Sequence, residues 1–206
     1  MMINIITAVF LSYLLGAIPF SFLLGKLLKG IDIRHMGSGN IGATNLMRCA
    51  GKPIGITALV LDMSKGTLAV TVIADIFYSS SMPLGLSLFK IILGLLAVIG
   101  HIWTVMLKFR GGKGVATAIG VLAGLSPFVV IYSGLVWLAI LLVSKYVSLS
   151  SIVMALCLPV FTYLSGQPAE YTLLSVGLCV LIICRHRGNI ARLIKGTEYK
   201  VGQKAQ

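Results

Sequence analysis

The sequence has few charged residues, and acidic residues are the scarcest of them. Only 5 of its 206 residues are Asp or Glu, and charged residues of both signs make up 11% of the chain. A soluble domain carries roughly 25% charged residues, so most of this protein's surface does not face water. Because 58% of the residues are hydrophobic, the composition indicates an integral membrane protein rather than an ordinary soluble one.

The sequence also lacks cysteines at metal-binding spacing. Its four cysteines, at positions 49, 157, 179 and 184, include no C-x2-C pair. We interpret them as buried small residues rather than as metal ligands or disulfide partners. Because no His, Cys or Asp cluster has ligand spacing, the sequence predicts neither a metal ion nor another cofactor.

Long apolar runs make up most of the sequence. A run of about 20 apolar residues is long enough to cross the hydrocarbon core of a bilayer. The first run is longer than a signal-peptide core and has no basic start, so it is predicted to be a retained span. The runs leave no room for a separate soluble domain, and residues 1–206 are predicted to form one membrane-embedded domain. The six runs are Ile3–Gly25, Ile54–Phe77, Leu84–Leu107, Val115–Val143, Leu149–Ser165 and Tyr171–Cys184.

The basic residues predict which segments lie in the cytoplasm. Lys and Arg cluster in residues 26–52, in 108–114 and after Cys184, whereas the connections 78–83 and 166–170 contain none. Since short basic loops stay in the cytoplasm, the three basic segments are predicted to share that side. The protein has little soluble surface to which nucleic acid could bind. The 17 basic residues, against 5 acidic ones, are therefore interpreted as setting the membrane topology or as binding anionic lipid or an anionic substrate.

Both basic flanks of 115–143 can lie inside only if this run enters the membrane and returns. Ser126 and Pro127 lie near its middle, and proline interrupts a helix by removing a hydrogen-bond donor. We therefore divide the run at Gly124–Pro127 and predict seven transmembrane helices, with the N-terminus outside and the C-terminus cytoplasmic. Each half is short for a bilayer of about 30 Å, so the pair is predicted to form short spans or a re-entrant hairpin.

Three polar stretches on the predicted cytoplasmic side carry the residues suited to chemistry. The first, GSGNIGATNLMR from Gly37 to Arg48, favours turns with exposed backbone N–H groups, and Arg48 could bind an anion in bidentate fashion. The alternative is a flexible loop. In the second, from Gly100 to Thr117, Gly111–Gly114 opens a helix, which is the outline of a phosphate site.

The second stretch is not a Walker A loop, because Leu107 and Gly114 stand where that motif needs glycine and Ser or Thr. Alternatively, this stretch is only a basic loop whose charges keep it on the cytoplasmic side of the membrane. His101 is interpreted as a structural residue. The third stretch, RHRGNIARLIKGTE, begins at Arg185. His186 and Asn189 are expected to share a helix face there, although such a cluster alone can simply bind anionic lipid.

Two further polar features lie at or inside predicted spans. Asp62 and Lys65, spaced i to i+3, are predicted to form an ion pair, with a proton relay as the alternative. Ser148, Ser150 and Ser151 are expected either to cap their helix or to face the site.

Taken together, these stretches resemble the acyl-phosphate-dependent glycerol-3-phosphate acyltransferase family of bacterial membranes, commonly called the PlsY family. GSGNIGATNLMR, the LDMSKG segment, GHIWTVMLKFRGGKGVAT and RHRGNIARLIKGTE occur in the family's order, and the resemblance spans essentially the whole chain. Thr104 is a departure, since relatives are expected often to have proline there.

The resemblance implies seven spans and an active site on the cytoplasmic face of the bacterial inner membrane. It implies acyl transfer from acyl phosphate to the 1-hydroxyl of glycerol 3-phosphate, which gives lysophosphatidic acid and phosphate and begins phospholipid synthesis. The expected partners are these two substrates and membrane lipid, and the protein is expected to be a monomer that binds no nucleic acid. The resemblance implies catalytic roles for Ser38, His186 and Asn189 and binding roles for Arg48, Lys113 and, as a weaker addition, Ser151. The polar and glycine-rich loops are expected to add Asn40, Gly111, Gly112 and Gly114 to the phosphate-binding residues.

Absent motifs support the donor that the resemblance implies. There is no G-x-S-x-G elbow, and the positions five after the three histidines, Asn40, Met106 and Ala191, exclude a His-x4-Asp pattern. The base stays open between His186 and the donor phosphate that the resemblance suggests. A small anion transporter is the main rival function, although the outer connections are short and nearly uncharged. A membrane scaffold whose basic tail binds lipid is a third candidate function.

Overall fold

The computed structural model describes residues 2–203, and these residues form helices joined by short connections. The prediction of an all-α protein is confirmed, since no strand occurs within this range. A π-helical segment, Ala69–Ile73, joins α4 to α5. The α-helices are α1 Met2–Ala17, α2 Phe20–Lys29, α3 Ala43–Ala50, α4 Lys52–Leu68, α5 Ala74–Phe77, α6 Leu86–Ile102, α7 Val115–Leu125, α8 Pro127–Ser144, α9 Val147–Leu164, α10 Ala169–Arg185 and α11 Arg187–Ile194.

Several helices are long and apolar enough to cross a membrane, as the composition predicts. Four stretches qualify on their own, and α1 with α2 and α10 with α11 raise the number to six if each bent pair is one span. The chain is thus a multi-pass membrane protein, while the count of seven and the orientation stay predictions. The four stretches are Lys52–Phe77, Leu86–Leu107, Pro127–Ser144 and Val147–Leu164.

The predicted interruption of 115–143 is confirmed, because α7 ends at Leu125 and α8 begins at Pro127. Proline suits the start of a helix, where its missing N–H leaves no bond unmade. The 18 residues of α8 extend about 27 Å, enough for a span, so the expectation that both halves are short is wrong for α8. Only α7 is short, since its 11 residues extend about 16 Å.

The run 3–25 contains a second interruption that the sequence analysis did not predict. α1 ends at Ala17, α2 begins at Phe20, and the two axes are bent by 43°. Pro19 lies between them and can donate no backbone hydrogen bond. The first apolar run is therefore two helices joined at a break.

Two buried side chains satisfy carbonyl groups at this break. Thr104 Oγ1 donates to Ala17 O at 2.5 Å, and Lys65 Nζ donates to Ile18 O at 3.0 Å. Lys65 also forms the predicted ion pair, with Nζ 2.8 Å from Asp62 Oδ1 and both side chains buried. Irregular backbone at membrane depth needs such internal partners, so these side chains stabilise the break.

The chain divides into two compact units, with a boundary inside α7 between Val121 and Leu122. In the first unit α1 packs along α6. The two backbones touch there, because a Cβ on Gly16 would lie 2.1 Å from Ala97 O, as in other membrane helix pairs with small residues at the crossing. The expectation that residues 1–206 form one domain stays a prediction.

In the second unit α9 packs against both α8 and α10. A buried hydrogen bond of 2.8 Å joins Thr162 Oγ1 on α9 to Ser175 Oγ on α10. The outer surface of α8 is apolar and uncovered, as expected for a helix that faces lipid. Its exposed side chains recur every three or four residues and include Phe128, Ile131, Leu135, Leu138 and Leu142.

The four cysteines differ in burial. Cys179 is buried, Cys49 and Cys157 are half-buried, and Cys184 is exposed. The interpretation as buried small residues is therefore right for Cys179 and wrong for Cys184, which lies near the end of α10.

Candidate active site

The first polar stretch folds as a turn followed by α3. Gly37 and Gly39 have φ of 57° and 69°, a conformation that glycine adopts without steric cost. Gly42 precedes the first residue of α3. The predicted site residues of this stretch are all half-buried: Ser38, Asn40 and Arg48.

Asn45, on α3, holds this turn in place. Its Nδ2 donates to Ile33 O at 3.0 Å and to Met36 O at 3.1 Å. Its Oδ1 accepts a hydrogen bond of 2.9 Å from the backbone N–H of Ser38. A side chain that is only 1% exposed thus orders the backbone on which Ser38 lies, and the sequence analysis missed it.

The Gly111–Gly114 loop directly precedes α7, as predicted. Gly111 N donates to Ile102 O at 3.0 Å, and Gly112 N donates to His101 O at 3.1 Å. The loop backbone is thereby paired with the end of α6, and these two N–H groups are used within the protein. The first turn of α7 adds backbone donors for an anion, because its N–H groups have no intrahelical acceptor.

Gly112 lies where no larger residue fits. A Cβ at this position would be 2.2 Å from His101 Nε2 and 2.8 Å from Ile41 O. Because Ile41 belongs to the first polar stretch, the structure brings the first two stretches together at Gly112. The glycine is needed here for close packing.

Three cationic side chains lie in this loop or directly before it, and they differ in exposure. Lys113 is half-buried, whereas Lys108 and Arg110 are exposed. A cation that is partly removed from water interacts more strongly with an anion than a fully solvated one. Of the three, Lys113 is best suited to bind a phosphate.

In the second unit, His186 lies at the junction between α10 and α11, whose axes are bent by 56°. The expected single helix through His186 and Asn189 is therefore interrupted at the histidine. His186 is 2% exposed, and its Nδ1 is 2.7 Å from Ile182 O. Since a carbonyl only accepts, Nδ1 carries a hydrogen, and in a neutral ring the lone pair is on Nε2.

A buried carboxylate, Glu198, organises the rest of the third stretch. Its Oε1 accepts hydrogen bonds from Asn189 Nδ2 at 2.6 Å and Ser148 Oγ at 2.9 Å, and its Oε2 accepts one from Arg192 Nε at 2.7 Å. Burial by itself would raise the pKa of Glu198, but the bonds from Asn189, Arg192 and Ser148 outweigh it and lower the pKa below its ordinary value.

The serines of α9 do not cap their helix. Its N-cap residue is Tyr146, which makes no side-chain capping bond. Ser150 and Ser151 instead donate to carbonyl oxygens four residues earlier, at 2.8 and 2.9 Å. Ser151 Oγ also accepts a 3.3 Å bond from Trp137 Nε1. The capping alternative is therefore wrong, and Ser148 is directed to Glu198.

The predicted residues divide between the two units. The second unit contains Ser151, His186 and Asn189. Glu198 was missed, although it is one of 5 acidic residues and belongs to the third polar stretch. The first unit contains Ser38, Asn40, Arg48, Gly111, Gly112, Lys113 and Gly114.

Comparisons with known proteins give a consistent result. A protein-family model described as "Glycerol-3-phosphate acyltransferase" matches residues 6–196. A "Glycerol-3-phosphate acyltransferase" of Desulforamulus reducens is 44% identical over 205 residues, with 98% of this chain and 99% of the relative covered. The protein of the same name from Aquifex aeolicus is 42% identical over 192 residues, with 93% and 96% covered.

Two solved structures are similar over nearly the whole chain. Both are crystal structures of PlsY, "an integral membrane glycerol 3-phosphate acyltransferase". The glycerol 3-phosphate form has a TM-score of 0.87 and 40% identity, covering 96% of each chain. The lysophosphatidic acid form has a TM-score of 0.85 and 40% identity, covering 96% of this chain and 95% of that one.

Proposed function

Because the chain belongs to the glycerol-3-phosphate acyltransferase family, we propose that it transfers a fatty acyl group from acyl phosphate to the 1-hydroxyl of glycerol 3-phosphate. A bond forms between the hydroxyl oxygen and the acyl carbon, and the bond from that carbon to the phosphate oxygen breaks. The products are lysophosphatidic acid and inorganic phosphate. The observation that supports this proposal most strongly is the structural similarity, over nearly the whole chain, to a membrane enzyme crystallised in glycerol 3-phosphate and lysophosphatidic acid forms.

The first unit supplies the proposed phosphate-binding residues. Arg48 and Lys113 are half-buried cations, and charge-assisted bonds to phosphate are the strongest that such side chains make. The N–H groups of the first turn of α7 add donors and a favourable helix dipole. Ser38 and Asn40, in the adjoining turn, complete the proposed polar surface for the substrates.

The second unit supplies the residues proposed to orient the acceptor. Asn189 Nδ2 donates to Glu198, and we propose that the amide group, held in place by this bond, orients a substrate hydroxyl. His186 would contribute Nε2, and Ser151 would assist in binding. We assign the hydroxyl proton to the leaving phosphate, because an acyl phosphate already carries a basic oxygen beside the reacting carbon.

We further propose seven membrane passages and a cytoplasmic active site at the inner membrane. The six basic residues after Cys184 favour this side. Thr197, which is exposed, offers a position for a single reporter cysteine in a chain whose native cysteines are replaced by serine. Labelling of that cysteine from the periplasm by a membrane-impermeant reagent would contradict the orientation.

Lys113→Ala tests the phosphate site, with Lys108→Ala as its matched control. If Lys113 binds phosphate, its loss removes a charge-assisted hydrogen bond of about 1.5–3 kcal/mol, which is roughly ten- to 150-fold in activity. Lys108 is exposed in the same connection, so its replacement should have far less effect. Equal activities of two well-folded variants would mean that the loop serves topology.

A further inference from the structure

A buried polar cluster that the proposed chemistry does not use lies beside the glycine loop. Asp62 and Lys65 form its ion pair at 2.8 Å, and His101 Nδ1 lies 3.5 Å from Asp62 Oδ1. The three side chains are between 1% and 8% exposed. Buried ionisable groups at membrane depth are costly to maintain, so their position calls for a specific role.

His101 contacts the loop through both its backbone and its ring. Its carbonyl oxygen accepts the 3.1 Å hydrogen bond from Gly112 N. Its Nε2 lies so close to Gly112 that a Cβ there would be 2.2 Å away. One edge of the imidazole thus faces Asp62 and the other faces the loop residue next to Lys113.

This cluster is too enclosed to bind a substrate itself. The cavity that it lines, together with Gly111 and Gly112, has a volume of about 10 Å³. Such a space accommodates at most a single water molecule. The imidazole is therefore placed against the loop rather than against a reacting molecule.

We propose that His101 is a positioning residue for the phosphate-binding loop. Asp62 orients the ring from one edge, and the other edge sets the position of Gly112 and, through the backbone, of Lys113. The inference rests on the proposed function, because it takes the loop to bind a substrate phosphate. A small displacement of positioning groups is enough to weaken catalysis markedly.

The ring can be removed without leaving a buried charge unpaired. In His101→Leu, Asp62 keeps its 2.8 Å ion pair with Lys65, so the fold is expected to survive. The variant should raise the KM for one phosphate substrate by about tenfold. That substrate should be the one whose KM rises in Lys113→Ala, while the KM for the other substrate changes less than about twofold.

A double variant separates positioning from general stability. Effects of residues that act through one another do not add. His101→Leu should therefore add less than about twofold to the KM change of Lys113→Ala. Additive effects, or a loss shared by kcat and both KM values together with a lower melting temperature, would show a merely structural residue and overturn the proposal.

Two conservative variants identify which edge of the ring matters. The side-chain amide nitrogen of Asn can replace Nδ1, and that of Gln can replace Nε2. We expect His101→Gln, which keeps a group beside Gly112, to retain most activity and His101→Asn to behave like His101→Leu. The reverse order would contradict the loop contact. Wild-type turnover is measured first, so failure of the proposed function is distinguished from failure of this inference.

Discussion

The glycine loop of the first unit and the Glu198 cluster of the second hold proposed site residues by different means. At Gly112 the absence of a side chain lets the loop backbone pack against His101 and Ile41. At Glu198 a charged side chain is present and gathers three donors, including Asn189. The loop should therefore be sensitive to added atoms, and the cluster to lost charge.

The largest expected effect is that of Gly112→Ala. The new Cβ would lie 2.2 Å from His101 Nε2 and 2.8 Å from Ile41 O, so the loop must shift. A misplacement of about 1 Å can cost roughly a hundredfold in rate, and we expect a loss of that size in kcat/KM. Steady-state kinetics on purified protein checks it.

Gly134→Ala is the matched control for that substitution. Gly134 lies inside α8, and no atom would meet its Cβ within 4 Å. Alanine there should leave activity unchanged and stabilise the helix by about 0.5–1 kcal/mol. A comparable loss in both variants would remove the distinction between the crowded glycine and the uncrowded one.

Glu198→Gln should have the next largest effect. The substitution keeps the side-chain shape but removes the negative charge of the carboxylate, which accepts three hydrogen bonds. Bonds to charged groups contribute about 1.5–3 kcal/mol, so we expect a loss of stability in that range and a fall in activity as Asn189 loses its fixed partner. Ser148→Ala removes one of the three donors and keeps the charge, so it should cost less than Glu198→Gln. Chemical unfolding in detergent measures both.

Acid should destabilise the cluster and leave the loop's packing unaffected. The pKa of Glu198 is lowered in the folded protein, so its stabilising contribution is complete above the ordinary Glu pKa of about 4.3 and is lost as the pH falls through the lowered value. The melting temperature should therefore fall less steeply as the pH is lowered below about 5 in Glu198→Gln than in wild type. Gly112→Ala should keep the wild-type slope, and an equal flattening in it would contradict the comparison.

The smallest effect is expected at the break between α1 and α2. Thr104→Val removes the hydroxyl that donates to Ala17 O and keeps the side-chain shape. We expect a loss of about 1 kcal/mol, whereas Thr104→Ser should be close to wild type. Equal stabilities of the two variants would show that this hydrogen bond does not stabilise the break.

Prolines illustrate how far the sequence predicts this fold. Pro127 lies at the predicted interruption, where it starts α8, but Pro19 lies at an unpredicted break, and Pro159 lies inside α9 without ending it. The break at Pro19 is stabilised by Thr104 and Lys65, which lie far from it in sequence. No local pattern contains those partners, so proline alone could not predict which helices are interrupted.

The same reason limits the prediction of the site. Composition and turn residues identified the three polar stretches, because these properties are local. The roles of Asn45 and Glu198 depend on hydrogen bonds to residues 6 to 50 positions away. The pairing of the Gly111 and Gly112 N–H groups with the end of α6 is likewise set by the folded structure. Residue types were therefore more predictable than their partners.

One measurement tests the central claim most directly. Purified protein is supplied with glycerol 3-phosphate and either palmitoyl phosphate or palmitoyl-CoA, and lysophosphatidic acid and released phosphate are both quantified. The account predicts equal amounts of the two products from palmitoyl phosphate and no turnover with palmitoyl-CoA. Comparable turnover with palmitoyl-CoA, or none with palmitoyl phosphate by folded protein, would contradict it.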